Sequence, residues 1–198
     1  KMSQVRVLPG VFFIHNNMKT FAQLLRELQE ASKKSSKRQE DKHESGLSSA
    51  MVSAHRGDLS DAKNKKRHKD LEKHVRKSGH GYVETIGRYI ERDDKTGKER
   101  QVTERSLKID AKGTQKKHHS QLKRLAKGLG RRYNQDSVGV TSKKRGSAFH
   151  GLKKDGWPKK GKKAPIGDFH RDPDQSEPYA SYMSGNPKKG FVFKKGEK

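Results

Sequence analysis

Cysteine is absent from all 198 residues, which removes disulfide frameworks, thiolate metal sites and thiol nucleophiles from consideration. Apolar residues are scarce as well. At 27% hydrophobic residues the chain falls far below the ~45–50% of ordinary globular proteins, so its full length cannot bury a normal core. One compact domain of about 100–130 residues with polar arms fits that limit better than two domains. Long hydrophobic runs are also missing. The stretch from Val5 to Ile14 is interrupted by Pro9-Gly10 and is too short to span a bilayer. Asn16-Asn17 offers no small-residue cleavage site of the secretory kind. No membrane partner is therefore expected, and residues 1–17 are expected to be a non-native or disordered extension ahead of Met18.

Acidic residues are the remaining shortage. Against 48 lysines and arginines stand 23 aspartates and glutamates, a formal charge of +25. A polyanion is the default partner for such a chain, because each neutralised phosphate releases counterions. A merely solubilising lysine surface is the bland alternative. The densest basic stretch supplies Lys116, Lys117, Lys123, Arg124 and Lys127, continued by Arg131 and Arg132 and then by Lys143, Lys144 and Arg145. These are the expected contacts to nucleic acid, without sequence specificity.

Between residues 18 and 30 the pattern is helical. Phe21, Leu24, Leu25 and Leu28 recur at i, i+3, i+4 and i+7, one apolar face, with Thr20 placed as an N-cap. A helix this short is marginal alone, so the face should dock on something. Residues 31–48 carry almost no apolar side chain and read as a flexible linker. The leader resembles the capsid-targeting segment of internal head proteins of T-even-type phages. That resemblance implies cleavage by a prohead protease after a Leu-x-Glu step, here ending at Glu27 or Glu30. An ordinary N-terminal helix packing on its own domain is the competing reading.

From residue 49 a folded core is expected, to residue 142. Residues 49–54 read as a buried strand, and Ser60 can cap a helix over 61–77 that ends at Ser78-Gly79. Residues 81–91 and 101–110 form a β-hairpin around turn residues 93–98, with a bulge expected because Val102, Leu107 and Ile109 do not share one parity. Thr114 should cap a second helix running to about Leu129, and 137–141 is another short strand. The order β-α-β-β-α-β predicts a single α+β ferredoxin-like domain. Residues 143–198 are basic and loop-rich, closing with Phe191-Val192-Phe193 as an extra C-terminal edge strand. Trp157 is expected to cover the core edge, with stacking on a nucleic-acid base as the alternative.

The turn at Ser53-Ala54-His55-Arg56-Gly57, the Asn64…Arg67 step, Gly79-His80-Gly81-Tyr82, Glu104-Arg105-Ser106 and the string from Tyr133 to Val138 resemble a small, uncharacterised α/β domain family of phage and bacterial proteins. The resemblance implies one compact domain over about residues 50–195 and brings no activity with it. Arg56, Asn64 and Arg67 cluster around the first strand-to-helix junction and could grip a phosphate or carboxylate. Glu104 joins them as a catalytic candidate, or as partner in a buried network that pins helix to sheet. The ten histidines show no recognised ligand spacing, so no metal is expected, and no cofactor motif is present. An RNA-recognition module is disfavoured because the first and third strands carry no aromatic residue.

The combined expectation is a basic phage-encoded protein, packaged in the virion head interior and delivered with DNA to the host cytoplasm. It would act by binding nucleic acid or a host protein rather than by catalysis, with phage scaffold and prohead protease as partners of the leader. A purely cytoplasmic location is the alternative. Two other functions remain open. One is an enzyme acting on a phosphate-bearing or nucleic-acid substrate through Arg56, Asn64, Arg67 and Glu104. The other is a non-specific structural DNA-binding protein.

Overall fold

The computed structural model describes residues 38–92, 99–172, 180–183 and 190–194. The leader face at Phe21, Leu24, Leu25 and Leu28, the steps at Glu27 and Glu30, the 1–17 extension and the hairpin turn lie outside the described residues. A helical segment, α1, covers residues 38–44. It is followed by β1 (Ser49–Ser53), α2 (Asp61–Lys77), β2 (Tyr82–Arg92), β3 (Glu99–Asp110), α3 (Lys116–Arg132) and β4 (Ser137–Thr141). Five shorter strands complete the order: β5 (Ala148–Gly151), β6 (Lys163–Pro165), β7 (Asp168–Asp172), β8 (Ala180–Met183) and β9 (Gly190–Lys194).

These strands form one sheet in the order β6-β5-β4-β1-β3-β2-β8-β9-β7, and every described pairing is antiparallel. Its centre, β4-β1-β3-β2, is the ferredoxin-like arrangement that the element order predicts. Alternation puts Ala50 and Val52, Leu107 and Ile109, and Val138 and Val140 on one sheet face. Against that face pack Leu71 and Val75 of α2 and Leu122, Ala126 and Leu129 of α3, all 5% exposed or less. At about 25 cal/mol per Å² of apolar surface removed from water, this one layer holds most of the fold's hydrophobic stabilisation.

Four expectations need correction. The β2–β3 ladder runs from Tyr82↔Ile109 to Arg92↔Glu99 in unbroken register, so there is no bulge. The N-cap of α3 is Gln115 rather than Thr114, and the helix continues to Arg132 past Gly128 and Gly130. Gly130 lets the sheet approach, since a Cβ there would collide with Leu152 and lie 2.7 Å from Val138. The terminal strand β9 is not at an edge. It lies between β8 and β7, because 168–172 and 180–183, isolated in sequence by prolines, are themselves strands.

Residues 38–44 of the expected 31–48 linker are helical and docked. Gln39 and His43 are buried, Lys42 Nζ donates to Asp110 Oδ2 at 2.5 Å, and Lys108 Nζ donates to Gln39 Oε1 at 2.8 Å. Lys108 and Asp110 alternate with Leu107 and Ile109, so α1 rests on the second face of the sheet. Its docking is carried by charge-assisted hydrogen bonds, which an apolar periodicity cannot reveal.

Candidate functional site

Following the strand register to one end of the sheet brings the sequence-selected residues into a common neighbourhood. Ser53 pairs with Ser106 and Thr85 also pairs with Ser106, so β1, β3 and β2 share this level. Just beyond it β1 runs into the His55–Ser60 loop, β3 carries Glu104 and Arg105, and the turn Asn134-Gln135-Asp136 leads into β4. Ser53 Oγ donates to the Arg105 carbonyl at 2.8 Å and accepts from the His55 amide at 2.9 Å, fixing where the first loop departs.

Arg56, Asn64 and Arg67 do converge here, and apart from the Arg56–Asp58 pair their bonds go to backbone. Asn64 is buried in α2; its Oδ1 accepts from the Arg56 amide at 3.0 Å, and its Nδ2 donates to the carbonyls of Arg56 and Leu59. Arg67 donates from Nε to Ala54 O at 2.7 Å and from Nη2 to Tyr133 O at 2.5 Å, with its guanidinium 5.6 Å from the Tyr133 ring centroid. Arg56 donates to Asn134 O at 3.0 Å and forks onto both oxygens of Asp58. That fork holds the Asp58 carboxyl below the usual carboxylate range. The turn on the other side answers in kind, as Gln135 Nε2 donates to His55 O at 2.9 Å. Asn134 adopts a positive φ of 55° to bring its carbonyl to Arg56. These three residues therefore clasp two loops together. They do not pin to Glu104, because position 104 alternates with Arg105 and lies on the sheet face away from α2.

What collects at this end, in a chain so rich in base, is carboxylate. Glu104 is half-buried; Asp58 and Asp136 are exposed, the latter 2.7 Å from Lys153 Nζ. Glu84, one step inward on β2, accepts from Arg105 Nη1 at 3.2 Å and lies 3.2 Å from His68 Nε2. Asp58, Asp136 and Glu84 are each paired with a basic side chain, Arg56, Lys153 and Arg105 respectively. A cavity of about 470 Å³ elsewhere has a basic character: His80, Lys112, His118 and Arg124 line it with Gln121 and Leu125. It would repel a cation. Among the described residues no group of three or more histidine, aspartate or glutamate side chains converges as a metal site.

Of the residues expected to contact nucleic acid, Lys116, Lys117, Lys123, Arg124, Lys127, Arg131 and Arg132 all lie on α3, while Lys143, Lys144 and Arg145 lie in the turn after β4. Arg145 of that turn reaches back to the start of α3, donating to Thr114 O. Lys143 is paired with Glu44 at the end of α1, and the Lys144 methylenes lie against Gly46. Trp157 packs edge-to-face on Phe149 at 5.8 Å yet remains 65% exposed, so it covers the core edge only in part. Sequence reasoning missed Gln135 and Asp136 as site residues, although they sit inside the Tyr133–Val138 string that had already drawn attention. The lead was their place between a helix stop and a buried strand.

Comparison with known proteins supplies what geometry alone cannot. No curated protein matches the chain. A solved structure titled as a phage SAM lyase in complex with S-methyl-5'-thioadenosine is 19% identical, covers 62% of this chain and 89% of its own, and superposes with a TM-score of 0.31. The model of the S-adenosylmethionine lyase family matches residues 50–193. This match overturns the expectation of a packaged protein that acts by binding rather than by catalysis, and favours the enzyme alternative. No helix among the described residues is long and apolar enough to cross a membrane. With well over half of its length matched, the chain belongs to the S-adenosylmethionine lyase family.

Proposed function

We propose that this protein cleaves S-adenosylmethionine at the bond between sulfur and the γ-carbon of the amino-acid arm, without water, releasing 5'-methylthioadenosine. The observation that carries the reading is the family match over residues 50–193. The substrate differs from the phosphate-bearing one considered on sequence grounds: its reacting centre is a sulfonium cation.

The chemistry asks little of the protein. The substrate's own carboxylate attacks the γ-carbon, the C–S electron pair leaves with sulfur, and a five-membered lactone forms as sulfur becomes neutral. No proton needs to move. A negative and a positive charge cancel in that step, so a site that excludes water favours it, and holding the arm curled replaces an entropic search. Stabilising the sulfonium itself would favour the ground state. Glu104 is therefore assigned to the substrate's α-ammonium, whose charge does not change. This leaves the substrate carboxylate free to reach the γ-carbon. Arg56, Asn64 and Arg67 are positioning residues that hold the two loops at the rim.

The test is incubation of the full chain with S-adenosylmethionine in ¹⁸O-water, followed by mass spectrometry. Methylthioadenosine with homoserine lactone is the expected result, and any homoserine formed later carries the label only in its carboxyl group. Label on the γ-hydroxyl would mean hydrolysis at carbon, and a vinyl product would mean elimination. Either one, or no turnover, sinks the proposal.

A further inference from the structure

We infer a second site, for closely spaced phosphate groups, on the flank of α3 that faces β5 and β6, formed by Lys123, Lys127 and Lys163 around His119 and His150. It is separate from the carboxylate rim and goes beyond the lyase reaction.

Three elements converge to make it: His119, Lys123 and Lys127 follow one another at four-residue spacing along α3, and Lys163 of β6 stands opposite His150 of β5 in register. His150 pairs with Val138 and so points to the helix side of the sheet, where it is only 6% exposed. Burial first, then Lys127, Lys123, Lys163 and His119, push its imidazole down to about 4. His119 on α3, 3.0 Å from Ser48 Oγ, is lowered by burial and then by Lys123, Arg145 and Lys163. Lys127 is lowered by burial and by Lys123, Arg131 and Lys163. Among the described residues, every charged group that sets these titrations is cationic. Like charges brought together without a counterion destabilise a fold, whereas an anion among them turns each repulsion into an attraction. Imidazole and ammonium are both donors to phosphate oxygens, and ammoniums from two helix positions and a facing strand suit several adjoining phosphates better than one.

Either a nucleic-acid strand or a free oligophosphate presents that chemistry, and the probe chosen is inorganic tripolyphosphate. Isothermal titration of the full chain at constant salt should show saturable binding that strengthens from pH 8 to pH 6, as His119 and His150 take up protons on binding. The charged groups facing them are Lys123, Lys127 and Arg131 of α3, Lys163 of β6 and Arg145 of the turn, all of them basic. The K123E/K163E variant should lose more than tenfold in affinity, whereas K65E/K69E, with the same charge change on exposed positions of α2, should stay within twofold. Lys163→Gln alone, at an exposed strand position, should lose about threefold, which keeps the test sound if the double variant misfolds. Competition of tripolyphosphate with a labelled oligothymidylate assigns the site to a nucleic-acid strand, and binding without competition assigns it to a free oligophosphate. Equal losses in the two double variants, unchanged binding in K123E/K163E, or no binding by the wild type overturns the inference.

Discussion

Lys108 and Asp110, two residues apart on β3, form a buried ion pair with Nζ 3.1 Å from Oδ1, their side chains 4% and 6% exposed. Asp110 is also the acceptor for Lys42 of α1, so one carboxylate balances two ammoniums. Burial lowers the Lys108 pKa and the Asp110 charge opposes that shift.

Asp110→Asn should therefore be the costliest single change on this face. It leaves Lys108 buried without a full counter-charge, and the expected loss is about 3–5 kcal/mol. Lys108→Met should cost clearly less, because Lys42 still pairs with Asp110. Urea unfolding of the two variants checks the order; equal midpoints would show that the pair is not the anchor.

Asn64→Ala removes three hydrogen bonds that hold the β1–α2 loop and leaves backbone groups of Arg56 and Leu59 without partners. A loss of about 2–3 kcal/mol is expected, with faster proteolysis within the 55–60 loop. A variant as stable as the parent would mean that the loop does not depend on this clasp.

Two glycines should respond in opposite directions. A Cβ at Gly151 would collide with the carbonyl oxygens of Pro158 and Lys159, so Gly151→Ala should cost about 1–3 kcal/mol. Nothing lies within 4 Å of a Cβ at Gly128, inside α3, and Gly128→Ala should stabilise by about 0.5–1 kcal/mol. Thermal melts of the pair decide it, and a stable Gly151→Ala would contradict the close approach of the 158–159 backbone.

The pH dependence of stability has a definite sign. The folded His150 pKa of about 4 lies below its ordinary 6.5, so the neutral form is the one the fold accepts. Its contribution is complete above pH 6.5 and fades as the pH falls toward 4. The full difference is worth about 3 kcal/mol. Denaturant melts between pH 7 and 5 should show stability falling, with a shallower slope in His150→Gln. Equal slopes would mean that His150 titrates normally.

Glu104→Gln should reduce kcat/KM for S-adenosylmethionine about 10²-fold, chiefly through KM, by removing the charge that holds the α-ammonium. A large loss confined to kcat would contradict a binding role.

The folded domain was legible from its periodicities. Alternation at Ala50 and Val52 and at Val138 and Val140, and helical spacing at Leu122, Ala126 and Leu129, are local regularities that depend on backbone geometry alone. Together with the break at Ser78-Gly79 they gave the β-α-β-β-α-β order, and the order narrowed the sheet to β4-β1-β3-β2. Of the five strands after Thr141 only β9 was legible, from Phe191-Val192-Phe193; the other four were not, because short segments become strands only when a neighbour is present to pair with.

What the sequence by itself determined, then, was the element order, the core face and the neighbourhood of Arg56, Asn64 and Arg67. Tertiary structure alone decided that these three clasp loops while Glu104 stands on the other face, that α1 docks through Gln39 and Lys42, and that α3 turns a basic flank toward His150. Burial patterns repeat along the chain and can be read from it. The partner of a polar side chain lies 68 residues away for Lys42 and 66 for Arg67, and it is fixed only when the sheet closes.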